Sequence, residues 1–348
     1  MRATTQRMAL LETLGKVKSA VPEKHLVPVC ASVLIRAAGG QVTLVGTNLE
    51  VALTASCKAA VSRQGAIAVA PKALESFLKA AKAEMVTLSA TAKTLKVEAG
   101  ASTTLEGYEE QNFPPMPKVT GKPILVTGLP GALEQVSYAM AKDDCRPVLT
   151  GVCLSADKGK MTVAASDGFR LAETTAKSQG PLDQTVVPSK AVGIIEKLMP
   201  GKVSIYRDER NIGFVGDGLV LTTMITQGQY PNYKQVIPKN GSPLTVDSAA
   251  LKDALSLAAI TLPDNNAVRL RTKGSNLVVS TKNDEKGETE AKVPAKGKVK
   301  IAFDARYLKD ILARVSGPIT LRTKNAQSPG VVKQNGTVHV LMPMFVDW

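Results

Sequence analysis

The chain repeats one pattern three times, and that repetition restricts the folds open to it. The stretch Lys160 to Lys177 (KMTVAASDGFRLAETTAK) reads as a hairpin: a strand of small and β-branched residues, a polar turn at Ser166, Asp167 and Gly168, and a return strand from Phe169 to Thr175. Gln41 to Leu53 repeats the design with its turn at Thr47 and Asn48, and Asn276 to Val293 does so around Asn283 and Asp284. Asn48 and Asp167 lie 119 residues apart, Asp167 and Asn283 lie 116 apart. A second anchor keeps the same period. Ala66 to Ala80, Thr185 to Met199 and Lys300 to Arg314 each run from a short apolar strand, through Pro71, Pro188 or Asp304, into an amphipathic helix. A period this long predicts three tandem domains, with boundaries 1–118, 119–238 and 239–348, rather than a solenoid.

Each unit reads as helix, strands, helix, strands, which predicts an α+β fold with six helices on one face of antiparallel sheets. The first helix is expected over Met8 to Val21, with Leu10, Leu11, Leu14, Val17 and Val21 on one stripe. The others are expected over Lys72 to Lys82, Pro130 to Ala141, Lys190 to Met199, Ser248 to Ala259 and Arg306 to Val315. Asn112 to Pro123 and Gly228 to Pro243, rich in Pro or Gly, read as linkers. No stretch reaches the roughly 18 to 20 apolar residues that span a bilayer. MRATTQRMALLETLG reads as the start of an amphipathic helix and not as a signal peptide, so the expected location is the cytoplasm.

Catalytic and metal signatures are missing. Cys30, Cys57, Cys145 and Cys153 form no CxxC pair, and only His25 and His339 could join them, so neither a metal nor another cofactor is expected. No phosphate loop or nucleophile elbow occurs, and the adjacent Asp143 and Asp144 read as turn-capping residues, not as a catalytic pair. A binding role is favoured over an enzyme. The net charge is +14, and the three units carry Lys and Arg against Asp and Glu as 14 to 9, 13 to 11 and 17 to 10. A basic excess in every unit points to a polyanion contacted by the whole assembly. The helices place Lys16, Lys72, Lys79, Lys190, Lys197, Lys252 and Lys309 away from their apolar stripes, where a phosphate-facing surface needs them. With aromatic residues at 4% and none interleaved with these lysines, duplex DNA held by its phosphates fits better than a stacked single strand.

Several motifs, taken together, resemble the bacterial DNA polymerase III β subunit, the sliding-clamp family. They are GTNLE (Gly46 to Glu50), AKDDCRPVLTG (Ala141 to Gly151), ASDGFRLA (Ala165 to Ala172), VVPSKAVGII (Val186 to Ile195), QYPNYKQVIPKN (Gln229 to Asn240), FDARYLKDIL (Phe303 to Leu312) and LMPM (Leu341 to Met344). The resemblance spans essentially the whole chain. It implies three clamp domains per chain, a ring-forming homodimer around double-stranded DNA, and no catalysis by the chain itself. It also implies partners: the DNA polymerase catalytic subunit of the holoenzyme, the clamp loader, and DNA repair and mismatch proteins, with no membrane. These would insert a short hydrophobic motif into a pocket whose matching positions are Leu149, Gly168, Phe169, Arg170, Leu171, Pro231, Val236, Tyr307, Val340, Met342, Pro343 and Met344.

Three departures from the family accompany the match. The chain is basic where members are commonly acidic, Phe169 stands where a His is usual, and Phe345 to Trp348 make a bulkier, longer tail. On the DNA-facing loop Pro147 and Val148 replace the usual aromatic residues, leaving Lys24, Lys142 and Arg146 as the contacts implied there. The alternatives are a DNA-binding regulator that is not a clamp, or a phage- or plasmid-encoded clamp variant with altered partners. A regulator would need a recognition helix with Asn, Gln or Arg facing a groove, whereas these helices offer mainly Lys.

Overall fold

A computed structural model describes residues 1–117, 120–143 and 145–348; the expected boundary at 118/119 and Asp144 lie outside the described residues. Among the described residues there are six α-helices: α1 (Arg7–Val17), α2 (Pro71–Ala80), α3 (Leu129–Val136), α4 (Ser189–Leu198), α5 (Ser248–Ala258) and α6 (Ala305–Leu312). The chain divides into two compact units that cut across the sequence repeats. One comprises 1–130, 178–180 and 190–225, the other 131–177, 181–189 and 226–348.

The first unit is built on the 13-residue strand Val51–Arg63. It pairs antiparallel with Gln41–Thr47, and its far end takes Arg2–Gln6 alongside, with Thr5 opposite Ala59. Its near end pairs with Leu219–Met224, Val51 lying opposite Thr223. The α1 stripe is Leu10, Leu14 and Val17, all fully buried, and Leu74 and Leu78 of α2 are equally buried. Residues 2–6 correct the sequence reading, which began the helical pattern in this segment. RATTQ alternates exposed and buried positions and finds a partner strand on each side, so sheet pairing wins over the pattern that begins at Arg7. At its other end α1 stops at Val17 and passes into a single 3-10 turn, Lys18–Ala20, before Pro22.

In the second unit the hairpin Lys160–Ser166 and Arg170–Gln179 pairs with the strand Thr337–Leu341, which leads through Gly330–Gln334 and Pro318–Thr323 to Ser242–Asp247. Leu251 and Leu255 of α5 and Leu308, Ile311 and Leu312 of α6 close over Leu270, Leu277, Ile301 and Phe303. Each such side chain contributes about 1.5–3 kcal/mol when it leaves water. Asp304 is the N-cap of α6, its Oδ1 accepting from the Arg306 N–H at 2.8 Å, and Asp247 caps α5 through the Ala250 N–H at 3.0 Å. Pro71 is the first residue of α2, whereas Pro188 ends the strand before α4.

All three hairpins close by the same device. Asn48 Oδ1 accepts from the N–H groups of Glu50 (3.1 Å) and Val51 (2.8 Å), Asp167 Oδ1 from Phe169 and Arg170 (both 2.9 Å), and Asn283 Oδ1 from Glu285 (2.9 Å) and Lys286 (3.1 Å). The period seen in the sequence is therefore the period of an Asx turn, in which a short polar side chain satisfies two backbone donors.

Candidate functional site

The Asp167 turn differs from the other two because its carboxylate has a second oxygen. That oxygen takes the Arg170 Nε–H at 3.0 Å, while Arg170 Nη1 bonds Asp310 of α6. The guanidinium lies 4.4 Å from the Tyr307 ring centroid and 5.3 Å from that of Tyr138. With only 4% of its surface exposed, Arg170 is a buried cation held by two carboxylates and two aromatic faces. Ser166 Oγ donates to the Arg170 carbonyl at 2.8 Å, and Gly168, at φ +92°, occupies a conformation that a side chain would strain. The turn is fixed before any ligand arrives.

Beside it opens a cavity of about 150 Å³. Leu149 and Tyr230 belong to one small apolar cluster, Leu171, Val331 and Val340 to another, and Tyr233 packs against both. Tyr230 and Tyr233 meet edge to face with centroids 6.1 Å apart. Burial pushes both phenols up, and a hydrogen bond to Glu173 adds to the effect at Tyr233. Gly168, Arg170, Pro231, Val236 and Met342 complete the expected part of the lining, together with Arg146, Ser166 and Asn232. The register explains the floor: Leu171 lies opposite Val340, and the Met342 N–H donates to the Phe169 carbonyl at 2.8 Å. Below the seam His339, 1% exposed, meets the Tyr138 hydroxyl at 2.8 Å. Burial, helped by Arg314, lowers the His339 pKa to about 4.

Eight of the twelve expected pocket residues line this cavity, and four do not. Phe169 points to solvent, 63% exposed, and stacks on Tyr307 with centroids 6.3 Å apart, forming a platform next to the cavity. Met344 is drawn onto the strand Lys300–Asp304 by a 2.8 Å bond from its N–H to the Ala302 carbonyl, and Pro343 leads it there. Trp348, at the end of the bulkier tail, packs on Lys300, whose ammonium lies 4.9 Å from the ring. Arg146, expected at DNA, is part of the lining. Ser166, Tyr230, Asn232 and Tyr233 were missed. The available signal was the aromatic pair three residues apart around Pro231, within a segment already singled out as a motif.

Of the expected DNA contacts, Lys24, Lys72, Lys79, Lys142, Arg146, Lys190, Lys197, Lys252 and Lys309 are exposed, and Lys16 is half-buried. Several are occupied by carboxylates: Lys16 by Glu12 (3.2 Å) and Asp217 (3.1 Å), Lys79 by Glu75 (2.6 Å), and Lys190 by Glu50. The Asp217 hydrogen bond raises the Lys16 pKa, and Lys18 with Lys79 holds the Glu75 carboxyl low. The turn role expected of Asp143 is observed, its Oδ1 accepting from the Cys145 N–H at 3.3 Å.

A cavity walled by apolar side chains, tyrosines, the exposed Arg146 and the ion-paired Arg170, on a scaffold of three repeats, defines a binding protein. In chain order three domain models of the DNA polymerase III beta subunit match: the N-terminal domain over residues 1–117, the central domain over 126–232 and the C-terminal domain over 234–345. The chain belongs to this family and has its three-domain clamp fold. It is 28% identical over 365 residues to the beta sliding clamp of Pseudomonas aeruginosa, covering 99% of this chain and all of that one. The crystal structure of the P. aeruginosa DNA polymerase III subunit beta superposes with a TM-score of 0.94 at 26% identity, over 99% of this chain and all of that chain. A DnaN sliding clamp from P. aeruginosa bound to griselimycin gives a TM-score of 0.92 at 26% identity and the same coverage.

Proposed function

We infer that this chain works as a sliding clamp in the cytoplasm: two copies close head to tail around duplex DNA, the three domains of each extending over 1–118, 119–238 and 239–348. The clamp is a non-catalytic processivity subunit of the DNA polymerase III holoenzyme. Among the described residues no helix is long and apolar enough to cross a membrane. The observation that carries the reading is that all three domains match, in order and along the whole chain. A ring holds DNA by topology, so its phosphate contacts need only be weak and screened, which suits exposed lysines such as Lys72, Lys197, Lys252 and Lys309. The lysines already engaged by Glu75, Glu50 or Asp217 exchange partners with phosphate and add less to affinity.

The cavity beside Asp167 takes an apolar anchor of an extended partner peptide, and Phe169 and Tyr307 offer a ring platform for a neighbouring side chain. Polymerase, clamp loader and repair proteins compete for this one site. Loading the chain onto nicked circular duplex with a clamp loader tests the function: protein should stay with the circle through a gel-filtration column and leave once the circle is cut. Equal retention on circular and linear DNA would replace the clamp with an ordinary DNA binder.

A further inference from the structure

The third repeat has the largest basic excess, 17 Lys and Arg against 10 Asp and Glu, and most of it lies away from the helices. In the strand Ala267–Lys273 the alternate residues Arg269, Arg271 and Lys273 face away from the core that buries Leu270. Arg271 lies directly opposite Lys300 across the ladder. On this face a cavity of about 560 Å³ gathers Arg269, Arg271, Lys273 and Lys282, with Trp348 in its wall. A second cavity, of about 340 Å³, shares Thr272 with the first and holds Lys298, Lys300 and Lys324. A third, of about 260 Å³, follows along Gly241 and Arg322, the chain neighbours of Ser242 and Thr323 in the second, and adds Lys239 and Lys333.

None of these cations forms an ion pair among the described residues, in contrast to the lysines held by Glu75, Glu50 and Asp217. Glu288, Glu290 and Asp347 also line the first cavity, but Glu290 is turned to Lys292 at 3.7 Å and the other two pair with none of these cations among the described residues. Arg269 spends two N–H groups on the neutral Asp347 carbonyl, at 3.2 and 3.0 Å, which fixes the tail and leaves the charge uncompensated. The tail thereby sets Trp348, 47% exposed, against Lys300 where the first two cavities meet. Repelling cations in a row favour an extended polyanion over a single phosphate group. Trp348 is the one large apolar side chain in these linings, where the centre of a protein interface gathers several. A basic track with one exposed indole beside it is the pattern of single-strand binding, phosphates along the cations and a base on the ring.

We propose that this face of the third repeat, from Arg271 and Lys273 through Lys300 and Lys324 to Arg322 and Lys333, binds single-stranded nucleic acid, with Trp348 stacking on a base. It requires neither the ring nor the peptide cavity. The test is fluorescence anisotropy with the full chain, no loader, and a labelled oligothymidylate of about 20 nucleotides, long enough for more than one binding mode of ordinary size. The chain's one tryptophan reports stacking directly by quenching. The triple variant Arg271→Gln, Lys300→Gln, Lys324→Gln should weaken binding about tenfold or more, and its salt slope should fall by about 2, at roughly 0.7 per phosphate contact. The charge-matched triple Lys58→Gln, Lys93→Gln, Lys122→Gln, in the other unit, should keep wild-type affinity. Trp348→Leu should weaken binding about fivefold and remove the quenching. Equal losses in the two triples, undiminished competition by duplex DNA or by polyglutamate, or binding without quenching would each overturn the proposal.

Discussion

The Asn48 turn in one unit and the Asp167 turn in the other are the same backbone built for different ends. Both close by a side-chain oxygen accepting two N–H groups, and both feed a strand that pairs with a later segment, Val51 opposite Thr223 in one and Arg170 opposite Leu341 in the other. Three residues beyond the turn the first has Val51 and the second Arg170, each almost fully buried. A valine there needs nothing. An arginine needs two carboxylates, and Asp167 supplies one because it is not an asparagine, while Asp310 brings α6 to the turn with Tyr307 beside it. A change of one amide to one carboxylate, together with one buried cation, converts a structural turn into the wall of a cavity.

Breaking that difference should cost most at its centre. Arg170→Val, the residue used by the first unit, strands the nearly buried Asp167 carboxylate, while the half-exposed Asp310 turns to water, and should destabilise the second unit by about 3 kcal/mol, the low end of the cost of removing one partner from a buried pair. Urea denaturation would measure it, and a cost below about 1 kcal/mol would mean that the pair is not a support. Next in size is a pH effect confined to the second unit. His339 has its pKa lowered to about 4, against an unfolded value near 6.5. Above the unfolded value both states are neutral and nothing changes. As pH falls towards 4 the unfolded chain binds a proton that the folded chain refuses, so stability declines by up to about 3 kcal/mol. The corresponding seam in the first unit is made of threonines and aliphatic residues, with no titratable group, and should not respond. Hydrogen exchange at pH 7 and pH 4.5 would separate the two units, and His339→Gln should flatten the response of the second.

The smallest effect sharpens the contrast. Asp167→Asn keeps an oxygen for the two backbone donors but loses the Arg170 ion pair, and should cost about 1–2 kcal/mol, whereas Asn48→Asp, which has no cation to meet, should stay within about 0.5 kcal/mol. Melting temperatures of the two variants test the pair together.

The turns also explain how much the sequence could reveal. Their polar residue, flanked by alternating strands, is a local signal, so the repeat, the hairpins and the amphipathic helices were all legible. Arg2–Gln6 was not, because a short polar strand is fixed by the strands on either side and not by its own pattern. The lining residues were legible only through the family resemblance, because an apolar Leu171 or Val340 alternating along a strand reads by itself as ordinary core. Pro343 follows the lining Met342 on an extended chain, where adjacent residues face opposite ways, whereas Phe169 belongs to the Asp167 turn, which aims it at solvent. Met344 shares the parity of Met342, but its N–H is captured by Ala302. Tyr233 reaches the cavity at the start of a 3-10 turn, Tyr233–Val236, and Tyr230 from the irregular chain before it, a path whose direction no local pattern announces.

Titration calorimetry with a short peptide of the Gln-x-x-Leu-Phe type tests the cavity most directly, using two variants that leave the buried seam alone. Val236 is 44% exposed and Met342 is half-buried, and both line the cavity, whereas nothing from Phe345 to Trp348 does. The double variant Val236→Ser, Met342→Ser should lose about 30-fold or more in affinity, on the order of 2 kcal/mol. Removal of Phe345 to Trp348 should leave affinity within about twofold, a change of under 0.5 kcal/mol. The reverse outcome, binding abolished by the truncation and spared by the double variant, would place the partner site on the tail and contradict the account.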